Sequence, residues 1–87
     1  MASNSKQITG TGDVTLGPTR LAAITAAVDI GGTLTLRDGG SGGTIKATLD
    51  FVAGNAHLPA LNMRFNGGLH ATFTTLVGTL TMWLSDA

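Results

Sequence analysis

The sequence lacks the side chains from which most catalytic and metal sites are built. Its 87 residues include no cysteine and no tyrosine, and all five acidic residues are aspartates. Without cysteine, neither a disulfide nor a thiolate metal ligand can form. A chain of this length buries only about 60% of the surface that its unfolded form exposes, so its stability margin is narrow. Association with other subunits is the remaining source of added stability, and we predict a homo-oligomer.

Charge is equally scarce. Charged residues make up 11% of the chain and balance to zero, whereas about 25% is typical of soluble domains. A surface with so little charge resists association poorly, which favours a working surface covered by neighbouring subunits. Nucleic acid is not a predicted direct ligand, because phosphate binding needs clustered cations. The five cationic residues are instead scattered along the chain: Lys6, Arg20, Arg37, Lys46 and Arg64.

No long hydrophobic run is present. No segment approaches the roughly 18 apolar residues that a membrane span requires, and the first residues do not lead into the apolar region of a secretion signal. We therefore predict a protein made in the cytoplasm, with no membrane partner. Residues 1–7 are small and polar without periodicity, so they predict a flexible N-terminal arm, either mobile or docked on a neighbour. Residues 8–87 are predicted to form a single β domain.

What the chain contains is a series of short apolar and polar alternations separated by glycine-rich turns. The clearest is a predicted hairpin in which residues 33–37 and 44–51 are strands and residues 38–43 are the turn. In the second strand, alternation predicts one apolar face made of Ile45, Ala47, Leu49 and Phe51. A phosphate-binding loop is disfavoured, because such a loop enters a helix whereas a strand follows here.

Further strands are predicted along the rest of the chain. Residues 20–30 fit a buried helix or a buried strand, and the β-branched residues and the context favour a strand. Residues 66–68, Asn-Gly-Gly, are typical of a second hairpin turn. Residues 69–76 and 79–84 then form the last two strands. About seven short strands predict an all-β fold, a small antiparallel β-sandwich or jelly-roll-like barrel.

Candidate catalytic groups are few. Asp29 and Asp38 lie within two residues of a glycine pair, where aspartate is a common turn residue. His57 and His70 are the only imidazoles, and two histidines without cysteine fall short of a zinc ligand set. His70 is predicted to form a surface or cross-strand hydrogen bond. We predict no catalytic residue, no cofactor, no metal site and no enzymatic activity.

Trp83 is the only tryptophan, and its position in the last strand makes it a candidate contact. Alternation places it on the face opposite Leu80, Met82 and Leu84. There it either covers a second apolar layer of the sandwich or anchors a subunit contact, where tryptophan and arginine are over-represented. The predicted subunit-contact residues are Arg64, Phe73 and Trp83.

The closing third of the chain carries three short motifs: Leu58-Pro59, Met63-Arg64-Phe65-Asn66-Gly67-Gly68-Leu69-His70-Ala71 and Gly78-Thr79-Leu80-Thr81-Met82-Trp83. Together they resemble a group of small virion proteins of tailed bacteriophages. In that group an alanine- and threonine-rich strand, an Asp-Gly hairpin and a final strand pair with Arg-Phe-Asn-Gly-Leu-aromatic recur. The resemblance covers residues 20–84 in outline. The chain departs from it at Gly68, a second glycine in the turn, and at His70, where the pattern has an aromatic residue.

The resemblance implies a non-enzymatic virion protein, assembled in the host cytoplasm. The leading hypothesis is a capsid decoration or cement protein, present in many copies, that stabilises contacts between subunits of the major capsid protein. A neck or tail adaptor is the alternative within that class. A carbohydrate- or ligand-binding β module is the alternative from another class, and an enzyme comes third because of the residue inventory.

Overall fold

The protein is an all-β sandwich of two antiparallel sheets, as the sequence predicts. The computed structural model describes residues 3–85. The strands are β1 (Ser3–Ile8), β2 (Gly12–Asp13), β3 (Thr19–Ile30), β4 (Gly32–Asp38), β5 (Thr44–Phe51), β6 (Gly54–Leu58), β7 (Met63–Phe65), β8 (Leu69–Thr74) and β9 (Val77–Ser85). The described part of the chain contains no helix that could cross a membrane.

The two sheets differ in size and in how the chain enters them. The first sheet has the order β1-β9-β3-β6, and β7 also pairs with β3. The second has the order β2-β8-β4-β5. The chain passes repeatedly from one sheet to the other. β4 and β5, which follow each other in sequence, form a hairpin within the second sheet. β9, in contrast, lies between β1 and β3, which are distant from it in sequence. The predicted hairpin over residues 33–51 is confirmed.

The core lies between the two sheets and is formed by alternate residues of their longest strands. Residues 20–30 belong to a strand, as predicted, and Ile24, Ala26 and Val28 of β3 are buried. In β9 the buried apolar residues are Leu80, Met82 and Leu84. This period of two is the signature of a strand with one face on the core. The outward residues of β9 therefore lie on the surface of the first sheet.

One predicted face changes partway along β5. Ala47 lies opposite Leu36, but the next pair joins Ile45 to Arg37, so the register shifts by one residue at Lys46. A β-bulge of this kind places two residues of one strand opposite one residue of its partner. The alternation is therefore interrupted, and residues on the two sides of the bulge that would share a face in a regular strand point to opposite faces. Ile45 is consequently 51% exposed, whereas Ala47 packs against the core. The predicted common face of these two residues is wrong for this reason.

Residues 66–68 form a crossing between the sheets and not the predicted hairpin turn. The preceding strand β7 pairs with β3 in the first sheet, and the following strand β8 pairs with β4 and β2 in the second. Phe65 and Leu69, on either side of the crossing, are both fully buried. Gly68 has a φ of 105°, and a Cβ there would lie 2.7 Å from the carbonyl oxygen of Thr15. Glycine is thus required for chain direction and for close approach.

The N-terminal residues also differ from the expected flexible arm at residues 1–7. Residues 3–8 form β1, which pairs antiparallel with β9 from Ser3 opposite Ser85 to Ile8 opposite Leu80. Lys6 Nζ donates a hydrogen bond of 2.9 Å to the carbonyl oxygen of Val14, and Ile8 packs against the core. These contacts make β1 the edge strand of the first sheet. Met1 and Ala2 lie outside the described residues.

Asp38 connects two loops at one end of the sandwich. Its carboxylate accepts hydrogen bonds from the backbone N–H groups of Gly67, at 2.7 Å, and Asn66, at 3.1 Å. Because these bonds favour the charged form, they lower the pKa of Asp38 below its usual value of 3.8, with the Gly67 bond as the larger cause. The stabilisation from this contact is present above the unfolded-state pKa and is lost as the pH falls through the lowered folded-state pKa.

We therefore predict that Asp38→Asn removes part of the acid sensitivity of the fold. The asparagine loses the charge-assisted bonds, so the variant is less stable than the wild type at neutral pH, and the difference narrows below the usual aspartate pKa. Thermal unfolding followed by circular dichroism from neutral to strongly acidic pH measures this difference. Asp29→Asn, at an exposed position of β3, is the matched control. An unchanged melting temperature of Asp38→Asn at neutral pH would contradict the prediction.

Candidate functional site

The outer surface of the first sheet presents polar side chains from four strands beside the exposed Trp83. Strand register aligns Gln7 of β1 with Thr81 of β9, Thr81 with Thr25 of β3, and Thr25 with His57 of β6. With strands about 4.8 Å apart, this row of four residues spans roughly 14 Å. A neighbouring row aligns Thr79, Ala27 and Asn55. We call the resulting surface the Trp83 face: Gln7, Thr25, Ala27, Asn55, His57, Thr79, Thr81 and Trp83.

Trp83 is positioned at the border of this surface. Its side chain is 46% exposed, and its Nε1–H donates a hydrogen bond of 3.3 Å to Thr25 Oγ1. Thr25 lies opposite Thr81, whereas Trp83 lies opposite Ala23, so the indole leans diagonally across β3. Since the small side chain of Ala23 leaves space on that strand, much of the aromatic surface stays accessible. This geometry fits an aromatic anchor for a partner.

Beside the indole the surface is concave and uncharged. A depression of about 500 Å³ is lined by Gln7, Thr25, Ala27, Asn55 and His57 together with neighbouring residues of β3, β6 and β9. None of the lining residues is an aspartate, lysine or arginine. The lining offers hydroxyl, amide and imidazole groups above small methyl side chains, so it can accept an uncharged partner through hydrogen bonds and apolar contact.

Two of the three predicted contact residues reach the same outer surface. Arg64 of β7 is exposed and lies opposite Arg20 of β3, which in turn lies opposite Ser85, two residues beyond Trp83 in β9. Arg20 donates from Nη1 to Asn62 Oδ1 at 2.8 Å. The cationic pair therefore borders the Trp83 face on the side of residue 85.

Phe73 lies elsewhere. In β8 it is opposite Leu34, a fully buried residue of β4, and it packs against the core as a half-buried side chain. Its backbone N–H donates to Thr11 Oγ1 at 2.9 Å. The structure thus places Phe73 on the inner side of the second sheet, away from Trp83 and Arg64.

His70 forms the cross-strand hydrogen bond that the sequence predicts. Its Nδ1 lies 2.7 Å from Asp13 Oδ1, and the two residues are register partners in β8 and β2. His70 is only 6% exposed and contributes to the outer side of the second sheet, opposite Arg37. Within residues 3–85, no three histidine and aspartate residues come close enough to hold a metal ion.

Ser41 lies within the sequence Gly39-Gly40-Ser41-Gly42-Gly43, which has the spelling Gly-x-Ser-x-Gly of a nucleophile elbow. That motif requires a tight turn from a strand into a helix. Here it closes the hairpin between β4 and β5 and is followed by a strand. Residues 39–43 therefore match the motif in sequence but form a hairpin turn in the structure.

The Trp83 face contains residues that the sequence could indicate only singly. Alternation in β9 predicts that Trp83 points outward with Thr79 and Thr81, and this is confirmed. Gln7 and His57, however, reach the surface through pairing with residues far along the chain. The alternation of residues within one segment does not indicate which strands pair with each other or in which register. Gln7 belongs to residues 1–7, whose lack of periodicity predicts an arm, mobile or docked on a neighbour, and not a strand of the sheet.

Comparison with protein-family models, curated proteins and solved structures finds no match to this chain. The resemblance to phage virion proteins consequently depends on the short motifs in the sequence alone.

Proposed function

We propose that this chain is a non-enzymatic structural protein of a virion, most simply a capsid decoration or cement protein that binds subunits of the major capsid protein. The observation that carries the proposal is the Trp83 face: a broad, uncharged sheet surface with one accessible indole at its border. The short motifs of the closing third and the low charge of the chain support the same class. A neck or tail adaptor would use the same surface.

Binding through such a surface would depend on burial of the indole and the small side chains around it. Aromatic anchors contribute most of the affinity in many interfaces, and the residues around them exclude water. Trp83 would have such surroundings if the partner covered both the depression on one side of the indole and the Arg20 and Arg64 pair on the other. The hydroxyl and amide groups of Thr25, Gln7 and Asn55 would pair with polar groups of the partner, so that few remain unsatisfied. Arg64, at the border, would contribute to orientation more than to affinity, because rim charges act mainly on association rate.

We expect Trp83→Ala to weaken binding to empty particles by at least about tenfold, because removal of an anchoring aromatic costs roughly 2 kcal/mol or more. Trp83→Phe should retain part of the affinity, since an apolar ring remains. Co-sedimentation of the purified chain with particles that lack it measures the effect. The matched control is Val52→Ala, which removes an 83% exposed apolar side chain outside the Trp83 face. Equal binding of Trp83→Ala and wild type would overturn this use of the surface.

An uncharged carbohydrate is the second candidate partner, and the depression beside the indole is the observation that favours it. Sugars stack on aromatic rings and hydrogen-bond to amide, hydroxyl and imidazole groups, and the lining supplies all three through Asn55, Thr25 and His57. Titration of Trp83 fluorescence with neutral glycans distinguishes the two functions. A saturable change supports the binding module, whereas no change together with particle binding supports the virion protein.

A further inference from the structure

The free edge of the second sheet is formed by β5, and its sequence is complementary to itself. β5 pairs with β4 on one side and is the last strand in the sheet order. Its eight residues read Thr-Ile-Lys-Ala-Thr-Leu-Asp-Phe. Lys46 and Asp50 are both exposed and stand at equal distances on either side of the exposed Thr48. No residue in the described chain forms an ion pair with either of them.

We propose that two copies of this chain associate through β5, antiparallel and with Thr48 opposite Thr48 of the second copy. In this register Lys46 of each copy lies opposite Asp50 of the other, giving two cross-strand charge pairs. Ala47 of each copy lies opposite Leu49 of the other. Antiparallel pairing of an exposed edge joins two sheets through backbone hydrogen bonds. The two four-stranded sheets would then form one continuous sheet across a two-fold axis.

The burial pattern of β5 supports this occupant. Ala47 and Leu49 are half-buried and pack against the core from the edge strand, so a second edge strand would cover their open sides. Cross-strand pairs of opposite charge stabilise a sheet by about 0.2–1 kcal/mol each, while like charges directly opposite each other destabilise it. Complementary charges at symmetric positions thus favour this register over shifted ones.

The bulge at Lys46 does not prevent the pairing. Lysines and bulges on edge strands commonly oppose contact between edges. Here the register shift concerns the alignment of β5 with β4 at Lys46, and residues 47–49, which lie at the centre of the proposed pairing, are outside it. In the proposed dimer, Asp50 of the second copy also lies opposite Lys46 and neutralises the lysine charge that would otherwise oppose contact between the edges. Lys46 has Asp38 in its electrostatic surroundings as well, so any variant of Lys46 needs a compensating variant as its control.

Charge reversal tests the register on the isolated full chain, without particles. At about 100 µM protein, suited to the weak affinity of a small interface, sedimentation velocity should show a dimer for the wild type. Lys46→Asp places aspartates opposite each other at both positions, and Asp50→Lys does the same with lysines, so each variant should be monomeric. Their equimolar mixture pairs opposite charges at both positions and should form a heterodimer, and the double variant should form a homodimer. The matched controls Asp29→Lys and Arg64→Asp reverse charges outside β5 and should leave the dimer intact.

A thiol cross-link tests the same register independently of charge. The chain has no cysteine, so Thr48→Cys introduces a single thiol. In the proposed pairing the two positions are directly opposite, with Cα atoms about 4.5–5.5 Å apart, a separation that a disulfide spans. Oxidation should give a covalent dimer. Thr44→Cys is the control, because its two copies would lie roughly 27 Å apart in this register.

A monomeric wild type, single charge variants that stay dimeric, a mixture that does not associate, or equal cross-linking at residues 44 and 48 would each overturn the proposal. The inference concerns contact between copies of this chain and uses β5, on the second sheet. Its failure would leave the proposed use of the Trp83 face on the first sheet untouched, and the failure of particle binding would leave this dimer untouched.

Discussion

Phe65→Ala should destabilise the fold by about 3–5 kcal/mol, the usual cost of truncating a buried phenylalanine. Phe65 is the largest of the fully buried side chains in the core. It lies in β7, a strand of three residues, immediately before the chain crosses to the second sheet. The substitution therefore leaves a cavity where both sheets meet. For a chain of this length the total stability is on the order of 4–13 kcal/mol, so a large part of it would be lost.

Urea unfolding measures this effect as a lower transition midpoint at an unchanged slope. The matched control is Leu16→Ala, since Leu16 is 85% exposed and its truncation removes little buried surface. We expect the control to stay within about 0.5 kcal/mol of the wild type. A loss below about 1 kcal/mol for Phe65→Ala would show that the core near the crossing collapses around the cavity, contrary to this prediction.

Gly32→Ala should cost about 3 kcal/mol, at the upper end of what overpacking usually costs. A Cβ at residue 32 would overlap with the backbone nitrogen of Leu76 and the carbonyl oxygen of Thr74. Both atoms belong to the segment that leads from β8 into β9, where the chain passes from the second sheet to the first. Because the clash involves backbone atoms, no rotamer change can relieve it. The segment itself must move.

Gly10→Ala provides the control, because no heavy atom lies within 4 Å of the added Cβ there. Its effect should be small, or stabilising by about 0.4–1 kcal/mol through a less flexible unfolded chain. Thermal unfolding of both variants gives the comparison. If the two substitutions proved equally tolerated, the close approach of the two segments at Gly32 would be refuted.

The strand character of the chain could be predicted because it depends on local alternation. In β9, and in β3 from Ile24 to Val28, every second residue is buried, and such a pattern is visible without knowing any partner. The orientation of Trp83 follows from the same signal. Residues 20–30 fit both a helix and a strand because they are rich in alanine, and the strand that their context favours is confirmed.

The pairing of strands could not be predicted in the same way. Asn66-Gly67-Gly68 has the composition of a hairpin turn, yet composition reports only the local chain conformation and not which strands pair on either side. The bulge at Lys46 likewise leaves no mark in the alternation, because Ile45 is as apolar as the residues that it was expected to join. The polar surroundings of Trp83 depend on register between strands from opposite ends of the chain. These features are determined by the tertiary packing of the two sheets.

The central position of β9 has a consequence for how the protein acquires its structure during synthesis. Among the strands in residues 3–85, β9 is the last to be translated, yet it lies between β1 and β3 and pairs with both. Until it leaves the ribosome, β1 has no neighbour and β3 presents an open backbone along most of one side. The first sheet can therefore be completed only after translation of β9, although β6 and β7 can pair with β3 earlier. Completion depends on contacts distant in sequence, and folds dominated by such contacts form slowly, on the scale of milliseconds to seconds. In that interval the nascent chain is open to capture by chaperones and by other unpaired strands.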